Sequence, residues 1–391
     1  MSPADRLLVW SAATLTALGV FAAISEGAPV KVTATDVVRF AVYHSPQTPG
    51  YTCWAGVWQM PDGVLRLAFH QATGPFGGRP RGRKDILEAV AWPPPGIPAY
   101  DMTGTLQQVV ALESRDGAKT WSPFSVEPFH TPMNGFLGGY AALPDGSVLR
   151  AVWGMYLPFY DVPPTGYLQR STDGGKTWGA PILFTDPKGA VALPKRVRML
   201  RDGRVMAVGG FCPFGSEAAS LRRALGHLRA AIWLSKDKGS TWSEPVIVRS
   251  AKDGAPPSEE SDVAELPDGR LLAINRSDNP PSRWQAVLKP VGDTYAVEST
   301  GPAPSPHSGE PDVLWAQEGV ALHLATSNVS WTADAGATWH DLGFGTEYYP
   351  ASVQLPDGRI FTAAHRGSDE PYDGSVDQEI RGMTFRLQVA N

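Results

Sequence analysis

The sequence predicts an all-β, six-bladed β-propeller. Three observations predict it: an eight-residue turn motif that recurs four times, an acid-Gly hairpin turn that recurs six times, and glycine and proline spread along the whole chain. The motif is Ser/Thr-x-Asp-x-Gly-x-Thr-Trp. It runs from Ser114 to Trp121, Ser171 to Trp178, Ser235 to Trp242 and Thr332 to Trp339. Its Asp accepts hydrogen bonds from the amides of its own turn, and its Gly supplies the positive φ of a tight turn. Thr and Trp suit the following strand, with the indole packed under the turn. These aspartates staple hairpins and do no chemistry.

The second repeat places Asp62-Gly63, Asp145-Gly146, Asp202-Gly203, Asp268-Gly269 and Asp357-Gly358 between apolar strands, with Glu318-Gly319 as a degenerate sixth copy. Asp-Gly between apolar runs is the strongest short hairpin signal. Six such turns imply six blades of about four strands each. Blades 4 and 6 lack the eight-residue motif. The 41 glycines and 36 prolines are not blocked together, so they read as turns between short strands rather than a disordered tract. A closed propeller can hold all 391 residues as one unit.

Charge and cysteine content narrow the function. The net charge is −5 and no basic stripe is present, which argues against nucleic acid as a partner. Two cysteines, Cys53 and Cys212, make neither a disulfide framework nor a zinc site, and read as buried thiols. No cofactor motif and no metal-ligand spacing appears. The apolar run 7–24 follows Arg6, and Val20-Phe21-Ala22 offers small residues for cleavage. Residues 1–28 are therefore expected to be a signal peptide or N-terminal anchor, with export to the periplasm or beyond, and residues 29–391 the propeller. The membrane enters only through that segment, if it stays uncleaved.

Four such boxes with interleaved Asp-Gly hairpins resemble the bacterial sialidase (neuraminidase) superfamily of BNR, or Asp-box, propellers over residues 35–391. The stretch from Ser258 to Arg276 is similar to the segment that holds the catalytic Glu and one arginine of the carboxylate-binding triad, which implies those roles for Glu260 and Arg276. The stretch from Tyr348 to Ile360 is similar to the segment of the nucleophilic Tyr, and spacing to the Asp-Gly turn selects Tyr349. The resemblance implies exo-acting hydrolysis of a terminal sialic acid or related sugar from a glycan. The alternative is a non-catalytic glycan- or protein-binding propeller. Two departures concern the triad. Tyr51-Thr52-Cys53-Trp54 stands where the first arginine belongs, and Ser327-Asn328-Val329-Ser330-Trp331 offers no third. Asp85 is the candidate acid/base. Arg79, Arg81 and Arg83, in a Gly-rich loop, are candidate replacements for the missing arginines.

The blades can also be aligned on their turns. Eight residues before the turn acid stand Trp54, Leu137, Pro194, Glu260, Glu310 and Tyr349; six before stand Gly56, Gly139, Arg196, Asp262, Asp312 and Ala351. Side chains two apart share a strand face, so Arg196, Glu260, Asp262, Glu310, Asp312 and Tyr349 are expected to converge on the central funnel. Charges gathered there are more readily a site than a core. A bulge would turn a strand's side chains away. A Tyr hydroxyl, with an ordinary pKa near ~10, needs a base to become a nucleophile, and a neighbouring Glu can be that base. Glu260 and Glu310 could instead form the two-carboxylate pair of most glycosidases. His307, His365 and Asp369 lie in Gly/Pro-rich loops, and the two histidines join Arg276, Arg196, Asp262, Glu310, Asp312 and Trp54 as expected substrate contacts. Ala218–Arg229 has a helical pattern, read as an insertion on blade 3.

Overall fold

The structure, a computed structural model, describes residues 31–46, 50–74, 78, 84, 88, 106–128, 139–152, 165–184, 189–214, 227–254, 257–277, 281–304, 309–366 and 379–390. The expected sites at Asp85, His307, Asp369, Arg79, Arg81 and Arg83 lie outside these residues, as does the N-terminal segment. So does most of the expected helix; its last residue, Arg229, opens a strand instead.

Among the described residues the ordered elements are almost all strands, and they form six sheets. The described residues open with β1 (Lys31–His44), which pairs with a strand near the far end of the sequence. Blade 1 holds β2 (Gly50–Gln59), β3 (Leu65–Thr73), β4 (Leu106–Ser114) and β5 (Ser122–Pro128). Blade 2 holds β6 (Tyr140–Ala142), β7 (Val148–Val152) and β8 (Tyr167–Ser171), with a Leu168–Ile182 bridge where a fourth strand would run. Blade 3 holds β9 (Val191–Met199), β10 (Val205–Cys212), β11 (Arg229–Ser235) and β12 (Val246–Arg249). Blade 4 holds β13 (Ser261–Glu265), β14 (Leu271–Arg276), β15 (Arg283–Val291) and β16 (Thr294–Pro302). Blade 5 holds β17 (Asp312–Ala316), β18 (Val320–Leu324), β19 (Val329–Thr332) and β20 (His340–Asp341). Blade 6 holds β21 (Tyr348–Gln354), β22 (Ile360–His365) and β23 (Glu379–Ala390), and β1 completes it, pairing from Lys31↔Ala390 to His44↔Glu379. Joining β1 to β23 in one sheet closes the ring and covers the outer edge of β23.

The six acid-Gly turns share one geometry. Gly63, Gly146, Gly203, Gly269, Gly319 and Gly358 each have φ between 81° and 87°. Each donates its N–H to the carbonyl three residues back, as Gly63 does to Met60 at 2.8 Å. The eight-residue motif staples the outer hairpins of blades 1, 2, 3 and 5. In the second copy, Asp173 Oδ1 accepts from the amides of Lys176 (3.0 Å) and Thr177 (2.9 Å), and Oδ2 from the Thr177 hydroxyl (2.6 Å). Burial would raise the carboxyl, and these bonds together outweigh it and hold the group down at about 2. Blade 4 turns instead through Gly292-Asp293, with Gly292 at φ 58°. Blade 6 needs no outer staple, because its last two strands come from opposite ends of the chain.

The core is divided among the seams between blades. Leu67, Phe69, Phe361 and Ile380 fill the seam of blades 1 and 6; Met206, Ile232, Leu271 and Leu288 that of blades 3 and 4; Leu322, Trp331 and Phe385 that of blades 5 and 6. Each motif Trp packs into the seam towards the preceding blade: Trp121 towards blade 6, Trp178 towards blade 1, Trp242 towards blade 2 and Trp339 towards blade 4. The repeat therefore does two jobs, closing a hairpin and gluing its blade to the previous one. Both cysteines are buried and unpaired with one another, as expected.

Candidate active site

Three inner strands break register at the same height. The slips fall between Cys53 and Gly56 in β2, between Pro194 and Arg196 in β9, and between Tyr348 and Ala351 in β21. A bulge re-aims the side chain it carries. Trp54 and Tyr349 sit in two of these bulges in the left-handed region, at φ 53° and 56°. Bulky residues rarely adopt that conformation, and it costs of order 1–3 kcal/mol. Strict alternation would not have placed these side chains; the bulges do.

Glu260 lies just before β13, and the blade 4 hairpin continues past its strands to fix it. Arg276 N–H donates to Glu260 O at 2.9 Å, and Ser258 N–H to Arg276 O at 2.8 Å. Glu260 and Arg276 are thus neighbours across the hairpin. Arg276 Nη1 donates to Glu260 Oε2 at 2.7 Å and to the Tyr349 hydroxyl at 3.2 Å, while that hydroxyl donates to Glu260 Oε1 at 2.5 Å. Glu260 and Tyr349 are 4% and 7% exposed. Burial alone would raise the Glu260 carboxyl. Arg276, then Lys195 and the Tyr349 hydrogen bond, outweigh it and hold the group below the ordinary glutamate range. Glu260 is therefore a carboxylate at neutral pH, with a hydroxyl hydrogen on one oxygen and a guanidinium on the other. This arrangement can draw a proton from a phenol.

The remaining expected residues separate into layers. Arg196 is 3% exposed; its Nη2 donates to Pro350 O at 2.9 Å and Pro311 O at 3.4 Å, and its Nε stands 3.5 Å from Glu310 Oε1. Burial pushes Glu310 up to about 7, with Arg196 only partly opposing it. Further in, Asp262 pairs with Arg198 and accepts from the amides of Val263 and Val313, both at 2.8 Å. Asp312 stands 3.5 Å from the same Arg198, and burial pushes its carboxyl to about 6. Asp262 and Asp312 thus tie blades 3, 4 and 5 together under the site. Below them a cavity of about 10 Å³ beside Arg196, Arg198 and Asp312 holds at most a single water.

His365 and Trp54 form the other flank. The Trp54 N–H donates to His365 Nδ1 at 3.2 Å, and the His365 ring lies 5.5 Å from that of Tyr349. Thr52, where the resemblance would place an arginine, is fully buried.

Four charged residues at this centre were not singled out from the sequence: Lys195, Arg198, Glu259 and Arg283. Lys195 sits on the β9 bulge, 3.9 Å from Glu259, and burial lowers its pKa against the pull of Glu259, Glu310 and Glu260. Arg283, opposite Arg276 in the β14–β15 pairing, donates to Gly309 O. Arg198 was within reach of the alternation rule, two residues beyond Arg196. Lys195 was not, because only the bulge turns it inward. Among the described residues no group of three or more His, Cys, Asp or Glu could hold a metal ion.

Fold and centre together define a six-bladed propeller of sialidase-like form, with a Tyr–Glu–Arg cluster at its inner strands. No protein-family model matches the chain. The chain is similar to a sialidase of Bacteroides fragilis (strain YCH46), 27% identical over 241 residues, which covers 54% of this chain and 41% of that protein. It therefore spans less than half the length of that relative. Its fold is similar to that of the α-L-arabinofuranosidase Arb93A of Fusarium graminearum, with a TM-score of 0.56 and 15% identity over 89% of this chain and 97% of that one. It is likewise similar to the Hadza microbial sialidase Hz136, with a TM-score of 0.55 and 18% identity over 89% of this chain and 68% of that one.

Proposed function

We propose that the chain is an exo-acting glycoside hydrolase of sialidase-like type, with Tyr349 as nucleophile and Glu260 as the base that activates it. The observation that carries this reading is the 2.5 Å hydrogen bond from the Tyr349 hydroxyl to a Glu260 carboxylate that Arg276 keeps ionised. As the phenol oxygen attacks the anomeric carbon, its proton passes to Glu260 Oε1, and the bond to the leaving oxygen breaks through an oxocarbenium-like state. Arg276 faces both groups and steadies the charge that moves between them. Water then cleaves the glycosyl-tyrosine. Asp85 is our candidate to protonate the leaving group. The substrate is a terminal sialic acid or a related sugar on a glycan. The apolar run 7–24 supports export.

One observation favours a second chemistry on the same scaffold. Glu310 is pushed up to about 7 while Glu260 is held low, and such splitting marks an acid and a base among carboxylates. In that reading Glu260 and Glu310 act as the carboxylate pair on a neutral sugar. The relative from Fusarium, an arabinofuranosidase, and the lack of arginines near Thr52 and Asn328 agree with it.

Hydrolysis of aryl sialosides, uronides, arabinofuranosides and neutral hexosides by the full chain and its Tyr349→Phe and Glu310→Gln variants decides between them. Release that disappears in Tyr349→Phe supports the tyrosine mechanism and names the sugar. Release that survives in Tyr349→Phe and disappears in Glu310→Gln moves the chemistry to the carboxylate pair. No release from any sugar by a folded chain favours a glycan- or protein-binding propeller.

A further inference from the structure

The bulge that presents Tyr349 departs from the strand ladder of blade 6. Tyr348 pairs with His365 and Ala351 with Ala363, so Tyr349 and Pro350 fall outside the ladder. Pro350 has no N–H to donate, and Tyr349 stands at φ 56°. Free of other restraints, such a segment would relax toward ordinary strand geometry.

Restraint comes from across the funnel. Arg196 lies beside the matching bulge of β9 and points its guanidinium at β21, giving Nη2 to the Pro350 carbonyl at 2.9 Å. The same nitrogen reaches Pro311 O at 3.4 Å, and Nε faces Glu310 at 3.5 Å. Arg196 therefore fastens the residue behind Tyr349 to the segment that opens blade 5. That segment also carries the floor of the tyrosine ring. A Cβ on Gly309 would stand 2.8 Å from Tyr349 Cδ2, so the ring lies directly on the glycine, and Arg283 holds Gly309 by its carbonyl. One guanidinium thus spans blades 3, 5 and 6 and touches the backbone on both sides of the ring. A planar fork reaches the carbonyls with one nitrogen and faces Glu310 with another, whereas an ammonium would have to make every contact from one nitrogen.

We propose that Arg196, braced by Glu310, is a positioning residue: it holds the left-handed bulge at Tyr349–Pro350 and so sets the reach of the Tyr349 hydroxyl to Glu260. The link between Arg196 and the tyrosine's placement stands on geometry alone; its effect on rate rests on the glycosidase reading above.

The test uses the full chain, wild type and with Arg196→Lys, Arg196→Met and Glu310→Gln. Thermal melts establish that each variant is folded. Two readouts follow. One is the ring signal of Tyr349 in tyrosine-labelled protein by NMR, assigned by its loss in Tyr349→Phe. The other is the division between kcat and KM on whichever aryl glycoside the wild type cleaves. We expect the Tyr349 signal to shift and broaden in Arg196→Lys and Arg196→Met, and to a smaller extent in Glu310→Gln. We expect kcat to fall by about 10–100-fold in Arg196→Lys with KM within about threefold, the cost of a reactive group displaced by a fraction of an ångström. An unmoved Tyr349 signal in folded Arg196→Lys overturns the proposal, as does a wild-type kcat in that variant. If the wild type cleaves nothing, the glycosidase reading falls; if Tyr349→Phe stays active, only its tyrosine mechanism falls; in both cases the NMR signal still decides whether Arg196 holds the bulge.

Discussion

At Glu260 burial competes with the charges and hydrogen bonds around it, and the balance decides what the residue can do. Burial favours the neutral acid, while Arg276 and Lys195 favour the carboxylate, and they prevail. Glu260→Gln keeps the shape and removes the basicity, so we expect kcat to fall by about 10²–10⁴-fold, the usual worth of a positioned base. Because the folded carboxyl titrates below the ordinary glutamate value, the acid limb of kcat/KM should lie below about 4.5 in the wild type. A limb set by Glu260 near neutrality would contradict this electrostatic account. Gly309 offers a steric test. Gly309→Ala places a methyl against the Tyr349 ring at a residue whose φ is 72°, so both the ring and the backbone must yield. We expect a folded protein with activity reduced at least tenfold; undiminished activity in Gly309→Ala would show that the ring can move without consequence.

Within a blade, the hairpin staple is the unit that carries stability. Asp173→Ala removes the acceptor for two amides and two hydroxyls and weakens the turn that seats Trp178 in the seam with blade 1. Net hydrogen-bond contributions put the loss at about 1–3 kcal/mol. A melting temperature lowered by a few degrees, with hydrolysis intact, is the expected result. Loss of hydrolysis without loss of stability would instead give the turn a role at the site. The Asp173 carboxyl is held at about 2, below its unfolded value, so its stabilisation is present above the unfolded pKa and is lost as pH falls through about 2. The buried carboxyls at the centre act in the opposite sense. Glu310, pushed up by burial to about 7, binds its proton more tightly when folded. Its penalty grows as pH rises from its unfolded pKa to about 7, so acidifying from 7 towards 5 stabilises the fold through this group, and Asp312 at about 6 acts likewise. Melting curves of Glu310→Gln should show a shallower rise over that interval than the wild type. Parallel profiles would mean that Glu310 does not titrate there.

For the molecule as a whole, closure is the feature on which the rest depends. β1 supplies the outer strand of blade 6, and Phe40 packs over Gly382 in β23 while Val32 reaches the seam with blade 5. A chain lacking residues 1–44 leaves β23 with an open edge and blade 6 without its cover. Limited proteolysis should cut blade 6 first in that chain, and circular dichroism should show a broadened, earlier melt. A truncated chain that melts like the full one would show that the ring does not need its two ends joined.

Much of this was legible in the residues, and the reason lies in which forces are local. Turn chemistry is written in consecutive positions, so the six acid-Gly hairpins, the four stapled motifs and hence the number of blades follow from the order of residues alone. Spacing to those turns also picked out Glu260 and Tyr349, since a strand of fixed length carries a residue to a fixed height, while Arg276 came from the resemblance of its segment. Lys195, Glu259 and Arg283 were not legible, because a lysine on a bulge and an arginine at a strand's start look like surface charges until neighbouring blades close over them. Nor did alternation reveal that Tyr349 and Trp54 point as they do through left-handed bulges. The sequence by itself determined the repeat, the blade count and the heights of the acidic and phenolic groups. Only the tertiary structure decided which of them meet, because contact across the funnel depends on bulges and on burial that several blades create together.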